Sequence, residues 1–298
     1  MAGITLLDGG MGQELVARSG DEPTPLWATW VMIDHPELVR AIHDDYFAAG
    51  ATIATTNTYA IHHDRLERFG LDDRFKELHR AALAAATAAR DDHGSGRIAG
   101  SIGPLVATYR DDVVFPVEEA APKVAEVAGL LAPDVDLILL ETLSTVTQAE
   151  GALKGAVQAG KPVWLSVSVH DRHGDRLRSG EPLQDLQPLV ETYGPEAVLA
   201  NCSVPEAMAD ALAVLGTFGR PFGAYANGFT HISDGFLEDA PTVAALTHRH
   251  DLTPERYADF TLGWVGQGAT IVGGCCEVGP AHIAELARRL REAGHEII

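Results

Sequence analysis

The chain has 298 residues, 46% of them hydrophobic, and its 22 basic and 42 acidic side chains give a formal net charge of -20 at pH 7. This excess of negative charge argues against nucleic acid or an anionic membrane as a partner, because phosphate binding requires basic patches. No apolar run approaches the roughly 20 residues that cross a bilayer, and the first residues lack the pattern of a signal peptide. With only three cysteines, the chain is expected in a reducing cytoplasm.

Eight short apolar runs recur along the chain and are predicted to be β-strands. Their residues are apolar almost without interruption, which is typical of parallel strands covered on both faces. Amphipathic segments lie between the runs; the clearest spans residues 35–50, with Pro36 in its first turn and Gly50 as its stop signal. Two more begin with proline and end at glycine, residues 205–216 and 280–294. The predicted strands cover residues 4–8, 51–56, 97–101, 136–141, 163–168, 197–201, 221–226 and 269–274.

Eight strands that alternate with helices predict one α/β domain over residues 1–298, a (β/α)8 TIM barrel. A doubly wound open sheet is the alternative. Active sites of such barrels lie at the carboxyl ends of the strands. The residues at or just past those ends are mostly polar, and they include every cysteine of the chain: Asp8-Gly9-Gly10, Asn57, Ser101-Ile102-Gly103, Glu141-Thr142, Ser168, Asn201-Cys202, Asn227 and Cys275-Cys276.

The three cysteines allow a metal site, a nucleophile or plain packing. A disulfide between the neighbours Cys275 and Cys276 would close a small, strained ring. Cys202 follows the sixth predicted strand and the doublet follows the eighth, so the three sulfurs can converge at the rim. Three thiolates without a fourth protein ligand suit a catalytic zinc, which keeps one coordination position open. The glycines before the doublet are expected to permit a tight backbone turn.

Two carboxylates also stand at strand ends. Glu141 ends the apolar run LILLE, where an unpaired buried carboxylate would be costly, so a functional role is favoured. Asp8, with Gly9 and Gly10, forms either a simple turn or a site in which backbone N–H groups meet a carboxylate and Asp8 meets an ammonium group.

Other conspicuous side chains carry weaker signals. The histidines of IHHDR and THRHDL are predicted to lie on exposed helix or loop surface. Trp27 and Trp30 are interpreted as packing residues, with a lid over the site as the alternative.

The segments LLDGGMGQEL, GATIATTNTY, GSIGP, LLETLSTVTQA, NCS and IVGGCC resemble, in this order, those of the homocysteine S-methyltransferases. The resemblance runs from Leu6 to about Leu290, and NCS followed by GGCC is its most specific part. It implies a zinc-dependent (β/α)8 barrel that methylates the thiol of homocysteine to give methionine. It further implies zinc ligands at Cys202, Cys275 and Cys276, carboxylates for the amino acid at Asp8 and Glu141, and backbone amides for the homocysteine carboxylate at Gly9 and Gly10.

A thiol with a pKa of about 8.5 is mostly protonated at neutral pH, whereas the thiolate is the nucleophile, so zinc would activate the acceptor. The expected partners are therefore a small-molecule thiol and a cationic methyl donor. A sulfonium donor, S-methylmethionine or S-adenosylmethionine, is preferred. The alternatives are a betaine or dimethylsulfoniopropionate donor, a different thiol or selenol acceptor, and a zinc-binding barrel without catalytic activity.

Overall fold

The computed structural model describes residues 3–20, 26, 28–232 and 246–298, and an eight-stranded parallel sheet forms its centre. From β2 onward each strand pairs with the next along the chain, and β8 pairs with β1. A bridge between Leu7 and Ile53 joins the remaining edges and closes the barrel. The predicted (β/α)8 fold is confirmed, and the open-sheet alternative is wrong. The strands are β1 (Thr5–Leu6), β2 (Ile53–Thr55), β3 (Arg97–Ile102), β4 (Leu137–Leu143), β5 (Val163–Val167), β6 (Ala197–Asn201), β7 (Phe222–Tyr225) and β8 (Ile271–Val272).

Helices surround the barrel. The described residues form α1 (Met11–Ser19), α2 (Ala28–Asp34), α3 (Pro36–Ala49), α4 (His63–Leu66), α5 (Phe75–His93), α6 (Val117–Leu131), α7 (Val146–Ala156), α8 (Gln187–Tyr193), α9 (Met208–Leu215), α10 (Pro254–Gly266) and α11 (Pro280–Glu292). No helix in these parts of the chain is both long and apolar enough to cross a membrane.

The predicted helix starts and stops agree with the structure, except in the helix over residues 205–216. Helix α3 begins at Pro36 and stops at Gly50, whose φ of 108° is left-handed. The predicted helix over residues 205–216 starts and ends instead in 3-10 turns around α9, and Gly216 keeps a right-handed φ of -61°. The left-handed stop falls at Gly219, with φ 68°.

The strand side chains divide into two apolar layers. Alternate residues point into the barrel, because successive side chains of a strand face opposite sides. The residues between them pack against the helices, which explains the uninterrupted apolar runs. The interior layer consists of Leu7, Ile53, Ala99, Leu137, Leu139, Trp164, Ala197, Leu199, Tyr225 and Ile271.

A short antiparallel hairpin follows β5 and pairs Val169–His170 with His173–Leu177. Its polar sequence, VHDRHGDRL, lacks the alternation that signals a hairpin, and we did not predict it. The hairpin packs closely on the turn before α9. At Gly174 there is no room for a side chain, since a Cβ there would lie 1.9 Å from the carbonyl oxygen of Ala207.

Two weaker predictions have mixed outcomes. His62 of IHHDR is buried, so the prediction of an exposed segment is wrong for it, whereas His63 and His248 are partly exposed. The alternation of a single turn was too short to indicate which of the two neighbouring histidines faces inward. Trp27 lies outside the described residues, and Trp30 lies exposed on α2.

Candidate active site at the C-terminal rim of the barrel

A polar layer lies above the apolar interior of the barrel. Four of its members stand two residues beyond an inward-facing residue of the same strand, so they face the same interior. The fifth, Tyr225, belongs to the interior layer and reaches this level with its hydroxyl, which donates to Glu141. In β4, for example, Leu137 and Leu139 are followed by Glu141. All members of the layer are buried: Ser101, Glu141, Ser166, Asn201 and Tyr225. The carboxyl ends of the strands therefore surround a polar chamber, where barrel enzymes place their active sites.

The three cysteines converge on one side of this chamber. The Sγ atom of Cys202 lies 2.7 Å from that of Cys275 and 3.6 Å from that of Cys276. All three sulfurs lie within 4.8 Å of one another. Strand β7 sets their spacing, because the Cys202 amide donates to the Tyr225 carbonyl and the Cys275 amide to that of Ala226.

The cysteine cluster has the composition and spacing of a metal site. A tetrahedral zinc with Zn–S bonds of about 2.3 Å requires S–S separations of about 3.8 Å. The Cys202–Cys276 distance of 3.6 Å fits, and the shorter Cys202–Cys275 distance would lengthen on binding. Hydrogen bonds to Cys202 raise the pKa of Cys275 and Cys276, because the buried sulfurs cannot all ionise without a cation.

The glycines beside the doublet provide space rather than an unusual backbone angle. A Cβ on Gly273 would lie 2.5 Å from the Cβ of Leu7, and one on Gly274 would lie 2.2 Å from Val278 Cγ1. A Cβ on Gly10 would lie 2.7 Å from the Cys275 carbonyl oxygen. The sequence predicted a tight turn at these glycines. The structure shows instead a close contact between the end of β8 and the loop after β1.

Glu141 lines the same chamber from the end of β4, with both oxygens engaged. Oε1 accepts a hydrogen bond from the hydroxyl of Ser101, and Oε2 accepts one from Tyr225 Oη at 3.1 Å. Burial raises the pKa of Glu141 to about 7. No basic side chain lies among the described residues that line the pocket, so the carboxylate has hydrogen bonds but no counter-ion there.

Asp8 is held in a similar way by a single residue. Its Oδ2 accepts from the Thr55 amide at 2.6 Å, and its Oδ1 accepts from Thr55 Oγ1 at 2.7 Å. Burial raises the pKa of Asp8 to about 7, and the nearby charge of Glu141 adds to the shift. Two buried carboxylates with raised pKa values would both be stabilised in their charged form by a cation bound between them.

The loop after β1 leads directly into α1. The Gly10 amide donates to the Val278 carbonyl at 2.9 Å, so this amide is already engaged within the protein. A Cβ on Gly9 would lie 2.0 Å from the same carbonyl oxygen. The pocket is also lined by the first turn of α1, Met11 to Gln13. The amides of a first helical turn have no partner within the helix, so they can bind an anion.

One pocket contains all of these groups. It encloses about 890 Å³ of empty space, part of it open to solvent. Ser168 and Asn227, although at strand ends, do not line it. Its lining includes the three cysteines, Asp8, Gly9, Gly10 and Glu141, and its outer wall is formed by Ala28, Thr29, Asn57, Tyr59, Thr108 and Tyr109.

One site residue, Tyr109, carried no sequence signal. Tyr109 donates a hydrogen bond from its hydroxyl to Cys202 Sγ at 3.0 Å, although it lies in the long segment after β3. Its φ is 63°, and Thr142 and Cys202 also have left-handed φ values of 62° and 50°. Left-handed conformations are rare outside glycine, and they concentrate at functional sites whose surroundings hold them in place.

Known proteins share both the sequence pattern and the fold of this chain. The family model described as homocysteine S-methyltransferase matches residues 5–290. The homocysteine S-methyltransferase of Escherichia coli (strain K12) is 32% identical over 304 residues, which cover 96% of this chain and 95% of the relative. Homocysteine S-methyltransferase YbgG of Bacillus subtilis (strain 168) is 26% identical, over 95% of this chain and 93% of its own.

A solved structure agrees with these sequence matches. The metallated form of the homocysteine methyltransferase MmuM from Escherichia coli superposes with a TM-score of 0.81 at 28% identity, and the match covers 97% of this chain and 96% of that one. Because the family match spans all eight strands and the rim that they form, this chain belongs to the homocysteine S-methyltransferase family.

Proposed function

We propose that this protein transfers a methyl group from a cationic sulfonium donor to the thiol of homocysteine, forming methionine. The observation that carries the proposal is the meeting of three cysteine sulfurs and two buried carboxylates in one pocket. A thiol-binding metal site and an ammonium-binding site at its side match the two ends of a small amino acid with a thiol. Membership of the family supports the same acceptor.

We infer that Cys202, Cys275 and Cys276 hold Zn²⁺ and leave its fourth position open. Zinc, when bound, would supply the acidity that keeps the acceptor sulfur as a thiolate at neutral pH. The crystallised relative is described as metallated, which supports a metal in this family. The choice of zinc rests on the all-sulfur ligand set, because thiolates favour zinc over the hard, oxygen-preferring cations.

The carboxylates are proposed to bind the ammonium group of homocysteine. Ser101 and Tyr225 orient Glu141, and Thr55 orients Asp8, so neither side chain has to be ordered when the substrate arrives. A bound ammonium would lower both pKa values and keep both groups ionised. This pocket also argues against a barrel that only stores zinc, because storage needs no site for an amino acid.

The homocysteine carboxylate is proposed to face the loop of Gly9 and Gly10. Because the Gly10 amide donates to Val278, we assign the contact to the Gly9 amide and to the amides at the start of α1, which have no partner within the helix. Gly10 then serves the site through the close approach to Cys275 that its missing side chain allows.

The methyl donor is proposed to enter from the outer wall of the pocket. Tyr59 and Tyr109 supply aromatic surface there, which suits a sulfonium cation. The lining combines carboxylates and thiols with no basic side chain among the described residues. This charge balance favours donors with a net positive charge, S-methylmethionine or S-adenosylmethionine, over the net-neutral betaine and dimethylsulfoniopropionate. The protein aligns the donor methyl with the acceptor sulfur.

We also propose that the protein works in the cytoplasm, because three clustered free cysteines need a reducing compartment.

The test of the function is a donor panel: zinc-loaded protein with homocysteine and each of the four donors, with methionine as the product measured. We expect turnover with a sulfonium donor of net positive charge. Turnover with betaine alone would refute the donor assignment, and bound zinc without turnover on any donor would favour the non-catalytic alternative.

A further inference from the structure

Tyr109 covers the metal-binding sulfurs from the side of the segment after β3. The residue is buried, and its hydroxyl donates to Cys202 Sγ at 3.0 Å. Its ring belongs to a small apolar cluster with Phe229, and both Cys275 and Cys276 pack against this cluster. The phenol therefore touches one of the three sulfurs directly, and the cluster that contains its ring packs against the other two cysteines.

Arg178, just after the hairpin that follows β5, fixes both members of this contact. Its guanidinium carbon lies 4.6 Å from the centre of the Tyr109 ring, a stacking distance. Its Nη2 donates to the Cys202 carbonyl at 3.3 Å, and its Nε donates to Ser168 Oγ at 2.7 Å. Asp171 anchors the same guanidinium at 3.0 Å.

Asp171 also supports the loop that carries Cys202. Its Oδ1 accepts from the Val204 amide at 3.3 Å, two residues beyond the cysteine. Tyr109 and Cys202, both with a left-handed φ, are thus contacted by the same partly buried ion pair, through the Tyr109 ring and the Cys202 carbonyl. A planar, multidentate guanidinium suits this arrangement, since it stacks on the ring with its face and donates at its edges.

We propose that Tyr109 is a positioning residue of the metal centre, which keeps a hydrogen bond on the Cys202 sulfur while Arg178 holds the Tyr109 ring and the Cys202 backbone in place. The proposal rests on the metal assignment made above. It implies that the three protein sulfurs are unequal, because a hydrogen bond withdraws negative charge from the thiolate that accepts it.

The lower negative charge on Cys202 protects this thiolate from methylation by the methyl donor. If the Cys202 thiolate attacked the methyl carbon, a carbon–sulfur bond would form on Cys202 and the sulfonium carbon–sulfur bond would break. The donor would leave as a neutral thioether, and the centre would lose a ligand. A hydrogen-bonded Cys202 is the poorer nucleophile, so we expect the methyl group to pass to the acceptor thiol rather than to Cys202.

The test compares Tyr109→Phe with the wild type and with Tyr193→Phe, a tyrosine at the end of α8 that does not line the pocket. Phenylalanine keeps the ring and removes only the hydroxyl. In the cobalt-substituted protein, we expect the sulfur-to-cobalt absorption band of Tyr109→Phe to move to longer wavelength. Zinc affinity, measured by chelator competition, should fall by about 10- to 100-fold, as for other residues that orient metal ligands.

Methyl iodide serves as a small probe of sulfur reactivity in the zinc-loaded proteins. Peptide mass spectrometry should show faster methylation of Cys202 in Tyr109→Phe than in the wild type or in Tyr193→Phe. Arg178→Lys keeps the charge but loses the planar stack, and it should shift the cobalt band in the same direction by a smaller amount.

The outcomes separate this inference from the proposed function. If the wild type bound neither cobalt nor zinc through its cysteines, the metal assignment itself would fail. If the wild type bound both, and Tyr109→Phe matched it in spectrum, zinc affinity and Cys202 methylation, the role of Tyr109 would be refuted while the metal assignment stood. An unchanged spectrum in Arg178→Lys would refute the part given to Arg178.

Discussion

Asn201 and Thr142 hold each other through a reciprocal pair of hydrogen bonds. The Thr142 amide donates to Asn201 Oδ1 at 2.9 Å, and Asn201 Nδ2 donates to Thr142 Oγ1 at 2.8 Å. Thr142 follows Glu141 on β4, and Asn201 precedes Cys202 at the end of β6. The pair therefore links the carboxylate side of the pocket to the cysteine side across β5.

This link should contribute to stability as well as to geometry. Asn201 Oδ1 also accepts from Ser166 Oγ at 2.8 Å, so Asn201→Ala removes three buried hydrogen bonds. We expect a loss of about 3 kcal/mol in the free energy of unfolding, measured with urea. The control is Asn227→Ala, a buried asparagine whose side-chain oxygen accepts one bond, from the Phe229 amide at 3.2 Å. Equal losses in the two variants would contradict the bridging role of Asn201.

The metal assignment predicts the same outcome for each cysteine. The wild type should contain about one zinc per chain, and Cys202→Ala, Cys275→Ala and Cys276→Ala should each lose nearly all zinc and activity. Circular dichroism should show that the fold is retained, since the sulfurs lie at the rim rather than in the apolar interior of the barrel. A variant that kept full zinc and full turnover would remove that cysteine from the ligand set.

Removing the charge of Glu141 should affect one acceptor and spare another. In Glu141→Gln, the Michaelis constant for homocysteine should rise by about ten- to a hundredfold, because a charge-assisted hydrogen bond in a closed pocket is lost. The acceptor 3-mercaptopropionate has no amino group and should respond much less. Zinc content, measured by metal analysis, should not change. Equal effects on both thiols, or a loss of zinc, would assign Glu141 to the barrel or the metal.

Homocysteine binding should weaken in acid. Burial raises the pKa of both Asp8 and Glu141 to about 7, so lowering the pH through this value protonates the groups that would bind the ammonium. Titration of one such group raises the Michaelis constant about tenfold between pH 8 and pH 6. The constant for 3-mercaptopropionate serves as the control, because this thiol lacks the ammonium group that the two carboxylates would bind. A ratio of the two constants that did not vary with pH would contradict the assignment.

Loss of the metal should make the centre sensitive to air. After chelation, Cys275 and Cys276 become free thiols, and oxygen can oxidise a pair of them to a disulfide. The Cys202 and Cys275 sulfurs are 2.7 Å apart, so we expect the cross-link between these two rather than within the strained doublet. Peptide mapping identifies the pair. Activity should return with reductant plus zinc, whereas recovery with reductant alone in metal-free buffer would argue against this account.

The sequence by itself determined the barrel and most of the rim. Each predicted apolar run overlaps one strand, because strands covered on both faces need apolar residues at nearly every position. Pro36 and Gly50 bound a helix for equally local reasons, the fixed φ of proline and the left-handed φ of glycine. The residues at strand ends follow from the strands themselves, so the cysteines, Asp8 and Glu141 were all expected at the rim.

Only the tertiary structure decided which atoms meet there. The partners of Glu141 come from β3 and β7, and Tyr109 and Arg178 reach Cys202 from segments 93 and 24 residues away. The Gly10 amide turned out to be engaged by Val278, far along the chain. Periodicity and caps act over a few residues, whereas hydrogen bonds between strands depend on how the closed sheet brings distant residues together.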